Sequence, residues 1–159
     1  MAHIPKDPVA DTIDQIAIGG YGTVGEDLFR GVVRPRDTVT GMPVNAVFCR
    51  ATSSGAPSGT FSDQDILRSA TVQVWVRYAT YDAGDLRTQE IYDYLAENTP
   101  EGYLNLAMNT SNPFFIGQDR SGFYEWSINA ELLYDAVADT GGTLDFSDVD
   151  DSGWLSILF

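Results

Sequence analysis

Few residues have a type and spacing that could support chemistry, and the first set is a glycine-rich stretch near the N-terminus. Gly20, Gly22 and Gly25 follow the spacing G-x-G-x-x-G, which in dinucleotide-binding proteins lets the backbone at a helix N-terminus approach a pyrophosphate. Here Gly31 and Pro35 follow too soon for a helix, and no succession of strand–helix–strand units comes after them. We interpret the glycines as a loop between a helix and a strand, and keep a small nucleotide-binding domain as the alternative function.

A second candidate is an acidic stretch close to the C-terminus. Asp148, Asp150, Ser152 and Gly153 match the first half of a calcium-binding loop, in which alternate carboxylates and a glycine wrap oxygen ligands around the ion. The position of the bidentate glutamate that closes such a loop is occupied by Phe159, the last residue. We therefore interpret this stretch as a solvated acidic segment and predict no metal site.

Nucleophilic and acid–base groups are sparse. His3 is the single histidine, so neither a Cys/His zinc set nor a Ser-His-Asp arrangement can form. The single thiol, Cys49, lies in an apolar stretch and is expected to be buried and unreactive. Carboxylates such as Glu90 and Asp93 fall on the solvated face of a predicted helix. The sequence thus predicts no catalytic residue and no cofactor, and we do not expect an enzyme.

The charge balance is strongly acidic. The chain has 23 acidic and 9 basic residues, a formal net charge of −14, and Lys6 as its only lysine. Such a surface repels nucleic-acid phosphates, so direct DNA binding is not expected. An aspartate-rich, lysine-poor composition is typical of proteins from hypersaline organisms, since concentrated salt screens the self-repulsion. We expect a halophilic host, with an ordinary acidic protein as the alternative.

Two alternating strands are the clearest structural signal. In the longer one, Tyr124, Trp126, Ile128, Ala130, Leu132 and Tyr134 share one face, and Glu125, Ser127, Asn129 and Glu131 share the other. In the other strand, residues 69–78, Val72, Val74, Val76 and Tyr78 alternate with Gln73, Trp75 and Arg77. Because successive side chains of a strand point to opposite faces, each strand is predicted to bury one face and to offer the other to water or a partner.

The remaining pattern predicts a helix over residues 7–18 and strands over 28–34 and 42–51. A mobile Gly/Ser loop over 53–62 follows, and a second helix begins at Asp82 or Asp85. The segment over 103–109 is ambiguous. The second helix would turn Ala83, Ile91, Tyr94 and Leu95 toward the core. This order indicates an α+β fold, with a mainly antiparallel sheet, helices packed on one face and an extended C-terminal arm.

The chain divides into one α+β domain over residues 1–140 and an acidic tail over residues 141–159 that ends in an apolar run. The apolar residues of that run are Trp154, Leu155, Ile157, Leu158 and Phe159. They pack on the chain's own core or insert into a neighbouring subunit, and the sequence leaves both open. The N-terminal residues have no apolar run of the kind that a signal peptide needs, so we expect a soluble protein.

Three consecutive segments together resemble a known family. They are PVNAVFCRATSSGAPSG, TVQVWVRYATYDAGDLRTQEIYDYL and PFFIGQDRSGFYEWSINAELLY, within residues 43–134. Their order and pattern resemble the tail terminator proteins of long-tailed viruses, also called minor capsid or tail-completion proteins. The chain departs from them in the turn after Asp119, where Arg120 comes early and Phe123 follows Gly122.

The resemblance implies a structural virion protein that forms a hexameric ring on the tail tube, stops tube elongation and joins the tail to head-neck proteins. Its partners would be further copies of itself, the tail tube protein and a head-neck or connector protein, with DNA passing through the channel unbound. Another neck or tail-tube component is the alternative. Predicted contact residues are Trp75, Gln118, Asp119, Arg120 and the five apolar residues of the tail, with Trp75 as the favoured anchor because aromatic residues dominate interfaces.

Overall fold

In a computed structural model of the chain, which describes residues 6–31, 44–54, 58–59 and 66–135, two helices lie against one mixed sheet. Within those residues the elements are α1 Pro8–Ile18, β1 Leu28–Arg30, β2 Ala46–Ser54, β3 Ser58–Gly59, β4 Ile66–Tyr78, α2 Tyr81–Glu97, β5 Asn105–Met108, β6 Phe114–Gln118 and β7 Tyr124–Asp135. The predicted α+β class is confirmed.

The sheet is built around β4 and β7, which pair antiparallel from Leu67↔Asp135 to Tyr78↔Tyr124. On the far side of β4, β2 pairs antiparallel and β1 then adds parallel to β2. On the far side of β7, β6 pairs with the first part of that strand and β5 with the last part. Every described strand pair except β1 with β2 is therefore antiparallel, as predicted.

The core lies between the helices and one face of the sheet. The predicted inward residues of β4 and β7 are buried there: Val72, Val74, Val76, Trp126, Ile128, Ala130 and Leu132 are each at most 1% exposed. Both helices pack on this same face, α1 through Val9, Ile13 and Ile16 and α2 through Ile91 and Leu95. Full burial of one such side chain stabilises the fold by about 1.5–3 kcal/mol, so these residues hold the helices to the sheet.

Helix α1 begins where the sequence predicts. The Asp7 carboxylate accepts a hydrogen bond from the Ala10 amide at 3.1 Å, and Pro8 occupies the first turn, where its missing N–H costs nothing. The helix ends at Ile18, before Gly19.

Helix α2 differs from its prediction in its start and in its buried face. It begins at Tyr81 rather than at Asp82 or Asp85, and Ala83 is exposed, while Gly84 and Thr88 are buried with Ile91 and Leu95. The reason is packing: a Cβ at Gly84 would meet the Trp126 ring and would lie 2.8 Å from Tyr78 Cβ. The glycine thus lets the helix backbone approach the sheet, and the Thr88 hydroxyl is satisfied by donating to the Gly84 carbonyl at 2.6 Å.

Two strand predictions and the predicted loop also need correction. Strand β1 ends at Arg30 because Gly31 turns the chain with φ +87, and residues 32–34 of the predicted strand lie outside the described residues. Strand β2 begins four residues later than predicted and runs on to Ser54. The predicted Gly/Ser loop contains β3, since Ser58 and Gly59 pair with Leu67 and Ile66 of β4. The ambiguous segment 103–109 contains β5.

The predicted C-terminal arm lies outside the described residues. Among the helices that are described, neither is both long enough and apolar enough to cross a membrane.

Candidate functional site

The sheet face opposite the helices, which we call the outer face, carries a row of aromatic residues. Phe29 of β1, Phe48 of β2 and Trp75 of β4 lie in register across neighbouring strands, and the row continues through Ser127 of β7 to Phe114 of β6. The Phe29 and Phe48 rings stack with centroids 5.6 Å apart. Directly opposed side chains share a face, so Phe29, Phe48 and Trp75 form an aromatic row that Ser127 separates from Phe114.

A line of polar groups runs beside that aromatic row. Arg50 Nε donates to Gln73 Oε1 at 2.7 Å, and Gln73 Nε2 donates to Ser127 Oγ at 2.8 Å. The Arg50 guanidinium also lies 5.8 Å from the centroid of the half-buried Trp75 ring. The predicted anchor Trp75 is therefore held in place by its neighbours while part of its ring stays accessible.

The turn between β6 and β7 is tied to β4 by an ion pair. Arg77 of β4 donates to Asp119 Oδ2 from Nε at 3.0 Å and from Nη2 at 2.9 Å. The guanidinium also lies 4.2 Å from the centroid of Phe123, a cation–π distance. Arg77 is only 9% exposed, so this contact is shielded from water and fixes the turn against the outer face.

Asp119 also organises the turn itself. Its Oδ1 accepts from the amides of Ser121 at 2.8 Å and Phe123 at 2.9 Å. Gly122 has φ +86, a left-handed conformation that favours glycine, and its carbonyl accepts from Gln118 Nε2 at 2.7 Å. Two of the predicted contact residues, Gln118 and Asp119, therefore hold the turn in shape, and Arg120 is exposed at its tip.

The two carboxylates near Arg77 have pKa values shifted in opposite directions. Partial burial raises the pKa of Asp119, but hydrogen bonds from the Phe123 amide and the Arg77 side chain outweigh it, and the pKa lies below its ordinary 3.8. Burial raises the pKa of Glu125 above its ordinary 4.5, and the negative charge of Asp119 adds to this, while Arg77 opposes it. These shifts follow from burial, from the ion pair and from the turn hydrogen bonds.

Strand β6 is an edge strand with apolar side chains on both faces. Phe114 is 63%, Phe115 41% and Ile116 42% exposed. Phe114 faces the outer side, in register with Ser127. Phe115 faces the helix side, where its ring centroid lies 5.3 Å from that of Trp126 and 5.2 Å from that of Tyr81. Edge strands are usually protected by charges, shortness, bulges or a cover; no residue of β6 is charged, but the strand has only five residues and its pairing with β7 is irregular between Phe115 and Gly117. We did not predict these three residues as contact residues, although the sequence shows an apolar triplet after a proline.

Within the part of the chain that the structure describes, the features that suggested chemistry do not form a site. After Gly20 and Gly22, the chain makes a tight turn at Gly25 and enters β1, so the helix that a dinucleotide motif requires is replaced by a strand. Cys49 is fully buried, and burial raises the pKa of its thiol to about 12, with the Asp7 charge adding to the effect. It is therefore unreactive, as predicted.

No metal site forms among the described residues, since no group of three or more histidine, cysteine or acidic side chains converges there. His3, the acidic stretch from Asp148 to Gly153 and the predicted contact residues Trp154, Leu155, Ile157, Leu158 and Phe159 lie outside the described part of the chain.

The region that contains the outer face and β6 also matches a known family. A family model described as bacteriophage tail terminator protein matches residues 19–136, which include all seven described strands and α2. The chain belongs to the bacteriophage tail terminator family. The match contains the three segments on which the sequence resemblance was based, so the resemblance is confirmed. No curated protein matches the chain.

A tail terminator is a structural component of the virion tail and takes part in tail completion. Its function is performed by surfaces that contact other tail or head–tail proteins. Among the features described above, Arg120 at the tip of the β6–β7 turn and Phe114, Phe115 and Ile116 of β6 are exposed, whereas Phe48, Arg77 and Ser127 of the outer face are buried.

Proposed function

We propose that this tail terminator caps the tail tube as a hexameric ring, ends tube elongation and joins the tail to the head-neck proteins. The observation that carries the proposal is the uncovered apolar edge strand β6 in a member of a tail-completion family. Phe115 also packs within the subunit, but the exposed parts of all three residues would be buried if this edge formed an interface.

In a ring, each subunit would contact the next through two different surfaces. The two ends of the sheet differ: one ends in the three residues of β1, and the other ends in β6 and β5. A contact from one end of a subunit to a different surface of the next is heterologous, and such contacts close into rings when the rotation allows. A tube subunit would use the same kind of contact to polymerise without limit.

The acidic composition supports two further parts of the proposal. A net charge of −14 on each subunit gives a ring whose channel repels DNA phosphates, so DNA passes without binding. The same composition, with 17 aspartates and one lysine, suits a virus of a halophilic host, in whose cytoplasm the virion would assemble.

The test is the mass of the purified protein by light scattering after size exclusion, in about 2 M salt and in dilute buffer. A mass six times that of the chain in concentrated salt, with six-fold rings in electron micrographs, is the expected result. A mass that rises without limit with concentration would identify a tube component instead. A single subunit mass under both conditions would contradict a preformed ring and remove the halophilic argument.

A further inference from the structure

The helix side of β6 meets the first turn of α2 in a cluster of four aromatic residues, Tyr81, Phe115, Tyr124 and Trp126, which we call the aromatic cluster. The Tyr81 ring centroid lies 5.2 Å from that of Phe115 and 5.8 Å from that of Tyr124. Trp126 is buried beneath Tyr81, with ring centroids 5.5 Å apart, and anchors the cluster to the sheet. Tyr81 is 43% and Phe115 is 41% exposed, so part of each ring is accessible to a partner.

A carboxylate without a partner lies beside this cluster. Asp85 and Tyr92 follow Tyr81 by four and eleven residues, so the three share one side of α2. That side faces β6 and the loop before it, because Tyr81 contacts Phe115 and the Tyr92 hydroxyl donates to the Thr110 carbonyl at 2.6 Å. Asp85 is exposed, and within the described part of the chain it forms neither an ion pair nor a side-chain hydrogen bond.

An accessible aromatic ring beside a carboxylate is a combination that binds an arginine or lysine side chain. The chain uses the same combination internally, where Arg77 pairs with Asp119 and lies over the Phe123 ring. In the four cation–π contacts between described residues, no cation lies over a ring of the aromatic cluster. The cluster and Asp85 therefore offer a cation site that the described residues do not fill.

The charge around this site favours a basic partner over a second copy of the chain. Helix α2 has five acidic residues, and its one cation, Arg87, is paired with Glu90 at 3.5 Å. Strand β6, which forms the other border of the site, has no charged residue. Two copies of the chain, each with a net charge of −14, repel one another, whereas a basic segment of another protein is attracted to this surface.

We propose that the aromatic cluster and Asp85 bind an arginine side chain from a basic segment of a different tail or head–tail protein. This inference rests on the proposed function and deepens it, since it specifies the chemistry of one partner. Arginine fits better than lysine because its planar guanidinium can stack on an aromatic ring while it donates hydrogen bonds to a carboxylate.

The experiment is a saturation-transfer NMR titration of the full-length protein with the peptide acetyl-Leu-Arg-Leu-amide, at a salt concentration where circular dichroism shows a folded chain. The matched probe contains citrulline in place of arginine, which keeps the shape of the side chain and removes its charge. The test variants are Asp85→Asn and Tyr81→Leu. The control variant is Glu97→Gln, since Glu97 is an exposed carboxylate in the last turn of α2.

We expect the arginine peptide to bind about three- to ten-fold more tightly than the citrulline peptide, as an exposed ion pair and a cation–π contact together allow. Asp85→Asn and Tyr81→Leu should each weaken binding of the arginine peptide by about two- to five-fold, and Glu97→Gln should leave it unchanged. Equal binding of the two peptides would overturn the inference. Equal losses in Glu97→Gln and Asp85→Asn would also overturn it, because they would show a general attraction to an acidic surface.

Light scattering on the same proteins separates this inference from the proposed ring. A hexamer that does not bind the arginine peptide keeps the ring and rejects only this site, whereas a monomer that binds the peptide rejects the ring and keeps the site. A smaller assembly in Asp85→Asn would show that the site receives another copy of the chain, and the assignment to a different protein would be wrong.

Discussion

Arg77 and Asp119 form a two-point contact on a single carboxylate oxygen, with Nε and Nη2 of the arginine 3.0 and 2.9 Å from Asp119 Oδ2. The pair joins the end of central strand β4 to the turn that follows β6. The other oxygen of Asp119 accepts hydrogen bonds from two amides of the turn. This one carboxylate therefore connects the turn to the sheet and also fixes the shape of the turn.

Replacing Asp119 by Asn should lower the free energy of unfolding by about 1–3 kcal/mol, the range for a shielded charge-assisted hydrogen bond. Urea unfolding followed by circular dichroism measures it. The matched control is Arg120→Ala at the exposed tip of the same turn, which should change stability by less than about 0.5 kcal/mol. Equal losses in the two variants would show that the ion pair does not hold the turn.

The pH dependence of that loss has a definite sign. The pKa of Asp119 is lower in the folded protein than its ordinary 3.8, so its stabilising contribution is present above that value and disappears as the pH falls through the folded pKa. The difference in unfolding free energy between the natural chain and Asp119→Asn should therefore be constant from pH 7 to pH 5 and shrink below pH 3.8. A difference that grew on acidification would contradict the assignment.

Glu125 should behave in the opposite way. Its pKa is raised above 4.5 by burial and by Asp119, so the protonated form favours the folded state and this favourable contribution is lost as the pH rises through the raised value. Glu125→Gln should consequently stabilise the protein slightly at pH 7 and have no effect near pH 4. Thermal unfolding at the two pH values tests this, and destabilisation at pH 7 would refute it. Glu131→Gln, an exposed position on the same strand, is the control.

Gly84→Ala should destabilise the protein by about 1–3 kcal/mol, although alanine ordinarily favours a helix over glycine. The added methyl group would meet the Trp126 ring and Tyr78 Cβ and force α2 away from the sheet. Asp85→Ala, at the adjacent exposed position, should be neutral or slightly stabilising. Denaturant titration measures the free energy of unfolding of both variants and so separates the packing effect from helix propensity. A Gly84→Ala variant more stable than the natural chain would contradict the close approach of α2 to the sheet.

Phe114→Ser should weaken self-association without weakening the subunit, because Phe114 is 63% exposed on β6. Leu86→Ser is the matched control, since Leu86 is 62% exposed and belongs to α2 rather than to β6. Light scattering across a concentration series should show a smaller mass only for Phe114→Ser. If Leu86→Ser had the same effect, the apolar edge would have no special part in assembly.

The two central strands could be predicted from the sequence because alternation reports directly which side chains face the core, and the buried residues of β4 and β7 agree with that pattern. Position 84 was missed because helical periodicity scores glycine as neutral, whereas here its missing side chain decides how closely α2 approaches Trp126. The Arg77 contact was missed for another reason: its partner is 42 residues away, and such a pairing depends on strand register. The apolar triplet of β6 was visible, but only the sheet order shows that it lies at an edge.

The far side of β7 is shared by two short strands, β6 and β5, placed one after the other along its length. This arrangement makes that border of the domain modular, because either short strand can change in sequence, length or pairing while β4 and β7 keep their twelve paired positions. Related viruses could thus adapt one segment to a new neighbour and retain the rest, so divergence should concentrate in β6 and its flanking loops while the central pair stays similar.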